Sequence, residues 1–425
     1  MRRQVLGAVL ASVVAVVATG CGGDDDATNN EARTITVWMM EGDLSDQAVA
    51  AIGTKFTEAT GASVDLQIQQ WDEINTKIST ALAQNDPPDV VAIGNTNVPL
   101  FAASGGLLDI TDKQSDLSAG QTWLPGLAGP ATVDGKLYAA PLFAGNRAVV
   151  YNKKIWADAG VTAPPKTFAE LKTALDKIKA KNTAKDFSPF YLPGQYWFGA
   201  VQFLWDAGGQ LAVKNGDAWA GGLSSPESIK GLTAWKDFQN AYSVPASRNV
   251  GNRAPDQAAL FADGKVGAIV DSSIKTILKN KPELEGDIGT FPFPSLEGDG
   301  TQPVFLGGTD LAIPVKSKDA DLALEYLKAA TSPEVQKEAI VGLDGWTPVS
   351  TELIAEVSGT LPETSQAFVK AAQNSVATPA TAGWATIETD QSLSTFFADI
   401  ATGRKTVADA AKDFDAHLAQ ALNAS

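Results

Sequence analysis

The sequence predicts an α/β protein built in two parts, and three observations carry that expectation. The segment after residue 33 runs strand, helix, strand, helix, strand, which implies a parallel sheet with right-handed crossovers. The same alternation returns in the middle of the chain. Removing a 20-residue leader leaves 405 of the 425 residues, too many for one small core and suited to two.

The first strand is RTITVWMM, with β-branched Thr34, Ile35, Thr36 and Val37. A helix follows over LSDQAVAAIGTKFTEATG, where Ala48, Ile52 and Phe56 recur at four-residue spacing and Gly61 supplies the stop. ASVDLQIQQ alternates Val64, Leu66 and Ile68, the pattern of a strand with one buried face. Trp71, Ile74, Ile78 and Leu82 form a helical stripe, and PPDVVAIG is another buried strand. In such a sheet ligands sit at the C-terminal strand ends, here Met40 to Asp43, Gln69 to Trp71 and Gly94 to Asn97. Beyond these, LYAAPLFAGNRAVVYNKKIWADAG is strand-rich, TFAELKTALDKIKAK is a helix, and DQAALFADGKVGAIVDSS reads helix, glycine turn, strand. VFLGGTDLAIPVKSKDADLALEYLKAATSPEVQKEAI reads strand, turn, strand and two helices, and Ser392 to Leu422 is helical with a break near Gly403.

The N-terminus has a different character. Arg2 and Arg3 precede an apolar run of about 16 residues, shorter than the roughly 20 that a bilayer span needs and suited to an export signal. The chain's one cysteine, Cys21, follows at once. Ala18-Thr19-Gly20-Cys21 resembles a bacterial lipobox, with Ala18 where leucine is usual. That resemblance implies cleavage before Cys21 and a diacylglycerol thioether on it. Residues 1–20 are then a signal peptide and 21–33 a lipidated tether, small, polar and without apolar pattern. Asp24, Asp25 and Asp26 in that tether read as solvated spacer, not as a metal site.

Composition narrows the chemistry. Formal charge is −16, which argues against nucleic acid, because that affinity rests on cationic contacts to phosphate. His417 is the single histidine, so a Ser-His-Asp triad or a multi-histidine zinc site lacks material. No phosphate-binding glycine loop or dinucleotide fingerprint is present, and no cofactor or metal is expected. Ten tryptophans lean toward surfaces that stack. A pair of acids working as a glycosidase stays open, since its spacing is spatial.

Several stretches in order now resemble one family. ITVW, KFTEATGASVDLQI, ISTALAQNDPPDVVAIG and FAASGGLLDIT are similar to the opening of bacterial extracellular solute-binding proteins of the maltose-binding type, which serve ABC importers. LYAAPLFAGNRAVVYNKKIWADAGVTAPPKTFAEL is similar to that family's first passage to a second lobe. ALFADGKVGAIV, FLGGTDLAIPVKSKDADLALEYLKAATSPEVQKEAI and GWTPVS match later landmarks. The resemblance spans nearly the whole exported chain. It implies a two-lobe periplasmic-binding-protein fold with the ligand in a cleft. The lobes would comprise 34–141 with 296–331, and 142–295 with 332–425, crossing near Pro141 to Asn146, Pro292 to Ser295 and Thr331 to Pro333.

The function implied is sugar capture, of a di- or oligosaccharide, for delivery to an ABC permease by a lipid-anchored monomer that performs no chemistry. The alternatives are a binder of a polyamine or glycerol phosphate ester, and an exported carbohydrate-active enzyme. Sugar hydroxyls need carboxylates and amides, and sugar faces need aromatics. Glu41 and Asp43 follow the first strand, Gln70 and Trp71 the second, and Asn95, Thr96 and Asn97 the third. Asn146 and Arg147 sit at the first crossing. Tyr196 and Trp197 occupy the position of a family stacking aromatic, whereas Ile274 stands where some relatives have tryptophan. Asp271 and Ser272 end a strand, and Gly308, Thr309 and Asp310 bring backbone close or form a hairpin. Trp346 and Trp384 lie in segments that line such clefts, while Phe203, Trp205 and the remaining tryptophans are assigned to packing or surface.

Overall fold

Residues 33–424 are described by a computed structural model; the signal peptide, Cys21 and all of the tether but Arg33 lie outside the described residues. Strands β1 (Thr34–Met40), β2 (Ser63–Gln69) and β3 (Val90–Gly94) are joined by helices, as the alternation requires. β1 runs parallel to both neighbours, with Thr34 opposite Ser63 and Val37 opposite Val90. The helix Asp46–Thr60 starts where the Ser45 hydroxyl accepts from Ala48 N–H and stops at left-handed Gly61. It buries Ala48, Ile52 and Phe56 as its spacing predicts.

The chain then crosses. β4 (Ala140–Gly145) belongs to the first sheet and β5 (Ala148–Asn152) to a second, with only Asn146 and Arg147 between them. β5 is the centre of a three-stranded antiparallel sheet, flanked by β6 (Ala268–Asp271) and β7 (Ile288–Phe291). The chain returns through β8 (Val304–Phe305) into β9 (Gly307–Ala312), which lies antiparallel between β3 and β4. The first sheet therefore reads β2-β1-β3-β9-β4, and two adjacent hydrogen-bonded strands of it carry the chain between the lobes. β8 and β9 do not pair with each other, so no hairpin forms at Gly307 to Asp310; β8 pairs instead with β10 (Ser375–Val376).

The cores follow the sheets. Ile35, Val37, Ile52, Phe56, Val91 and Leu311 belong to the first, and Trp156, Phe190, Phe203, Trp235, Phe397 and Leu418 to the second. Two sequence expectations meet a different outcome. β2 is an edge strand whose Leu66 and Ile68 stay 40% and 50% exposed, because side chains stand out of the sheet plane and are buried only where another layer packs on that face. The third crossing does not fall at Thr331 to Pro333. Val335, Ala339, Ile340, Val349 and Ile354 all bury in the first core, so the helical spacing past Pro333 serves that lobe. The passage comes later, where helix Glu363–Ala372 puts Val369 in the first core and Phe368 against the second lobe. No helix among the described residues is long and apolar enough to cross a membrane.

Candidate functional site

The C-terminal ends of β1, β2, β3 and the start of β9 form one wall. Asp43 is buried there, receiving a 2.6 Å hydrogen bond from the Thr309 hydroxyl, while its backbone carbonyl accepts from the Trp346 indole at 2.7 Å. Burial pushes the Asp43 carboxyl up to about 6, with the Thr309 and Trp71 donors opposing. Trp346 stacks on Phe143 of β4 at 4.8 Å. Trp71 is 44% exposed, and its ring lies against Gly94, where an added Cβ would touch it at 3.5 Å. Beside it Asn97 accepts from Asn75 through Oδ1 at 3.0 Å. Glu41 and Gln70 are exposed on the same edge.

The opposite wall comes from the second lobe. Arg147 holds its guanidinium 4.3 Å over the Phe198 ring and 5.5 Å from Phe305, and its Nε donates to the Tyr196 hydroxyl at 3.3 Å. Asp271 accepts from Gln257 Nε2 at 3.0 Å and from Ser272 N–H at 2.7 Å; burial raises its carboxyl, against those donors. Between the lobes a cavity of about 260 Å³ is lined by Gly42, Asn146, Ser272, Lys275, Trp346 and Phe368, among others, while Trp71, Asn97, Arg147 and Phe198 lie outside its lining. At another point the walls touch: Thr96 Oγ1 donates to Glu388 at 2.7 Å. Glu388 rides on helix Trp384–Thr389, whose Trp384 and Ile387 pack in the second core. Burial raises the Glu388 carboxyl too, opposed by Thr96.

Some expected contacts are occupied by the fold. Asn95 is buried and donates to the Leu306 carbonyl at 3.0 Å. Asn146 donates to the Phe368 carbonyl at 2.7 Å, tying the crossing to helix Glu363–Ala372. Trp197 is buried against Phe198 at 4.0 Å and meets Trp384 edge-on at 6.2 Å. Trp384 has no exposed surface, so neither indole offers an open face. Asp310 is likewise sealed in the sheet, with neither carboxylate oxygen finding a partner among the described residues, and burial holds it well above the usual range. Gly308 sits at φ 151°, and a Cβ there would come 2.1 Å from the Phe143 carbonyl oxygen. Its contribution is the close approach of β9 to β4.

Residue types alone missed Phe198, Phe305 and Glu388. Phe198 is one position past the aromatic pair that drew attention, and Glu388 is one helical turn past Trp384. That i, i+4 spacing was the available signal.

Comparison with known proteins agrees with this architecture. Residues 41–337 match the family described as bacterial extracellular solute-binding protein. The chain is 36% identical over 434 residues to the diacetylchitobiose binding protein DasA of Streptomyces coelicolor, covering 99% of this chain and 100% of that one. It is 22% identical over 413 residues to the maltodextrin-binding protein MdxE of Bacillus subtilis, covering 95% and 94%. Among solved structures, the sugar-binding protein MalE of Xanthomonas citri superposes with a TM-score of 0.80 at 23% identity, covering 92% and 97%. The GacH receptor of Streptomyces glaucescens, solved unliganded and with acarbose, gives 0.73 at 23% identity, covering 92% and 98%. With its two lobes, its crossing strands and a cleft at the strand ends, this chain belongs to the bacterial extracellular solute-binding protein family.

Proposed function

We propose that this protein captures a di- or oligosaccharide between its lobes and delivers it to an ABC permease, anchored at Cys21 by lipid and performing no chemistry. The observation that carries the reading is Trp71, an exposed indole on the strand ends beside Asn97 and Asp43, with Arg147 and Phe198 supplied by the other lobe. An aromatic face with amide and carboxyl groups around it suits the apolar face and hydroxyl rim of a sugar. Similarity along the full length to a diacetylchitobiose binder supports an N-acetylated disaccharide as the cargo. The lobes meet at β4, at the segment between β7 and β9, and within helix Glu363–Ala372. Closure is a hinge motion about these connections.

Thermal unfolding of the full chain against mono- and disaccharides, polyamines and phosphate esters tests this. Saturable stabilisation by one sugar series, with the sugar recovered intact, is expected; a hundredfold excess over Kd stabilises by about 2.7 kcal/mol. A shift with a phosphate ester alone replaces the cargo class, and consumption of the sugar makes the protein an enzyme.

A further inference from the structure

We propose that two hydrogen bonds between the lobes, Lys275 to the Asp344 carbonyl and Thr96 to Glu388, wall the two flanks of the cleft and hold the cargo to a short saccharide, an assignment that rests on reading the cleft as a sugar site. The topology of the first lobe puts those bonds on opposite flanks. From β1 the chain moves to β2 on one side, and from β2 it moves back past β1 to β3. With both crossovers right-handed, that reversal sends the two connecting helices to opposite faces of the sheet. Helix Asp46–Thr60 covers one face, together with the helical stretch Gln336–Leu343 that leads into Asp344. Helix Ile74–Ala83 covers the other, where its Leu82 meets Gly106 just past helix Val98–Ala103. Thr96 lies in the turn that opens this last helix.

Each bond is anchored at both ends. Asp344 is fixed through its carboxylate, whose Oδ2 accepts from Ser45 N–H at 2.9 Å. Its carbonyl lies at a helix C-terminus, where partial negative charge suits a cation. Lys275 Nζ reaches that carbonyl at 2.6 Å from the helix that follows β6. On the other flank Thr96 is buried and donates to Glu388 at 2.7 Å, and the helix of Glu388 is pinned in the second core by Trp384 and Ile387. The crossing closes the back, where Asn146 donates to the Phe368 carbonyl. The remaining side is the β2 edge, opposite β4 in the strand order, and Trp71 stands exposed there. On the Lys275 flank the space so enclosed is about 260 Å³, below the roughly 300–1,000 Å³ of ordinary small-molecule sites. A sugar chain that runs past either flank must break the bond there, and the Lys275 bond is charge-assisted. A short sugar leaves both intact.

The test is calorimetric titration of the full chain with chito- and malto-oligosaccharides of two to five units. It is repeated for Lys275→Ser and Glu388→Ala, which open one flank each, and for Lys275→Arg and Glu388→Gln, which keep a donor or an acceptor in place. In the series that binds, the wild type is expected to favour the disaccharide over the tetrasaccharide by about 10-fold or more, the equivalent of one charge-assisted hydrogen bond. Lys275→Ser and Glu388→Ala, with unfolding temperatures confirming that they fold, should each bring that ratio to within about threefold of unity. Lys275→Arg and Glu388→Gln should keep it. A length preference that survives in an opening variant removes that bond as a wall. Equal wild-type affinity for the two lengths overturns the inference and leaves sugar capture standing, whereas no binding of any sugar removes both.

Discussion

Asp43 pays an electrostatic cost where it stands, and that cost gives it a pH signature. Its carboxyl titrates near 6 in the folded protein against an ordinary value of 3.8. Between those values the folded form keeps a proton that the unfolded chain has released. Stability from this group is therefore present at low pH and is lost as pH rises through about 4 to 6, by about 1–3 kcal/mol. Asp43→Asn keeps an oxygen for Thr309 and removes the charge. The unliganded variant should be the more stable at pH 7.5, and the gap should close near pH 4, as denaturant titrations at the two pH values would show; equal gaps at both refute it. Trp71 is more exposed, though its ring rests on Gly94 and its indole lies against the Asp43 carboxyl. Trp71→Ala should leave stability within about 0.5 kcal/mol and weaken sugar binding about 10- to 100-fold, measurable by calorimetry. Its place at a strand end made it a candidate from the sequence, and the structure shows it exposed there. The roles of Trp197 and Trp384 were not legible: an indole that stacks on a ligand and one that fills a core are the same letter, and only the neighbours Phe198 and Phe305 separate them.

Elements were legible to the extent that their burial is local. The helix Asp46–Thr60 showed its stripe, cap and stop in one stretch of sequence, and β1 and β3 showed as apolar runs. β2 misled because alternation signals a covered face only when something covers it, and its place at the edge is decided by strands far along the chain. The stretch after Pro333 misled for a similar reason, since an amphipathic helix does not state which of two cores it faces. Two substitutions probe elements directly. Gly308→Ala sets a methyl against the Phe143 carbonyl at a backbone angle that L-residues avoid, and should cost about 1–3 kcal/mol or more. Chemical unfolding would show it, and a neutral outcome would mean that β9 can retreat from β4. Thr406→Ala removes the hydroxyl that caps helix Val407–Leu422 at Asp409 N–H, and should cost about 1 kcal/mol.

At the scale of the molecule, direct contacts join the lobes away from the crossings, among them Lys275 Nζ donating to the Asp344 carbonyl at 2.6 Å. Thr96 to Glu388 is another, as is the exposed Lys214–Asp134 pair at 2.8 Å, weaker by its exposure. Thr96→Val should shift the unliganded protein toward open forms and lower sugar affinity about fivefold, the equivalent of one hydrogen bond. Small-angle scattering would report a larger radius without sugar and an unchanged one at saturation; an unchanged unliganded radius would deny the contact a part in closure. The two-lobe plan was legible from the order of the motifs, whereas this contact was not, because it joins residues 292 positions apart. β1 also sets a direction for the whole body. Its first residues lie beside Arg33, which binds Asp319 and Asp321, and its far end opens into the cleft. Seven residues of strand put about 20 Å between those points. A support, dye or fusion partner attached through the N-terminal side would thus sit behind the cargo mouth, so the protein could be immobilised as a sugar sensor with its entrance facing solution.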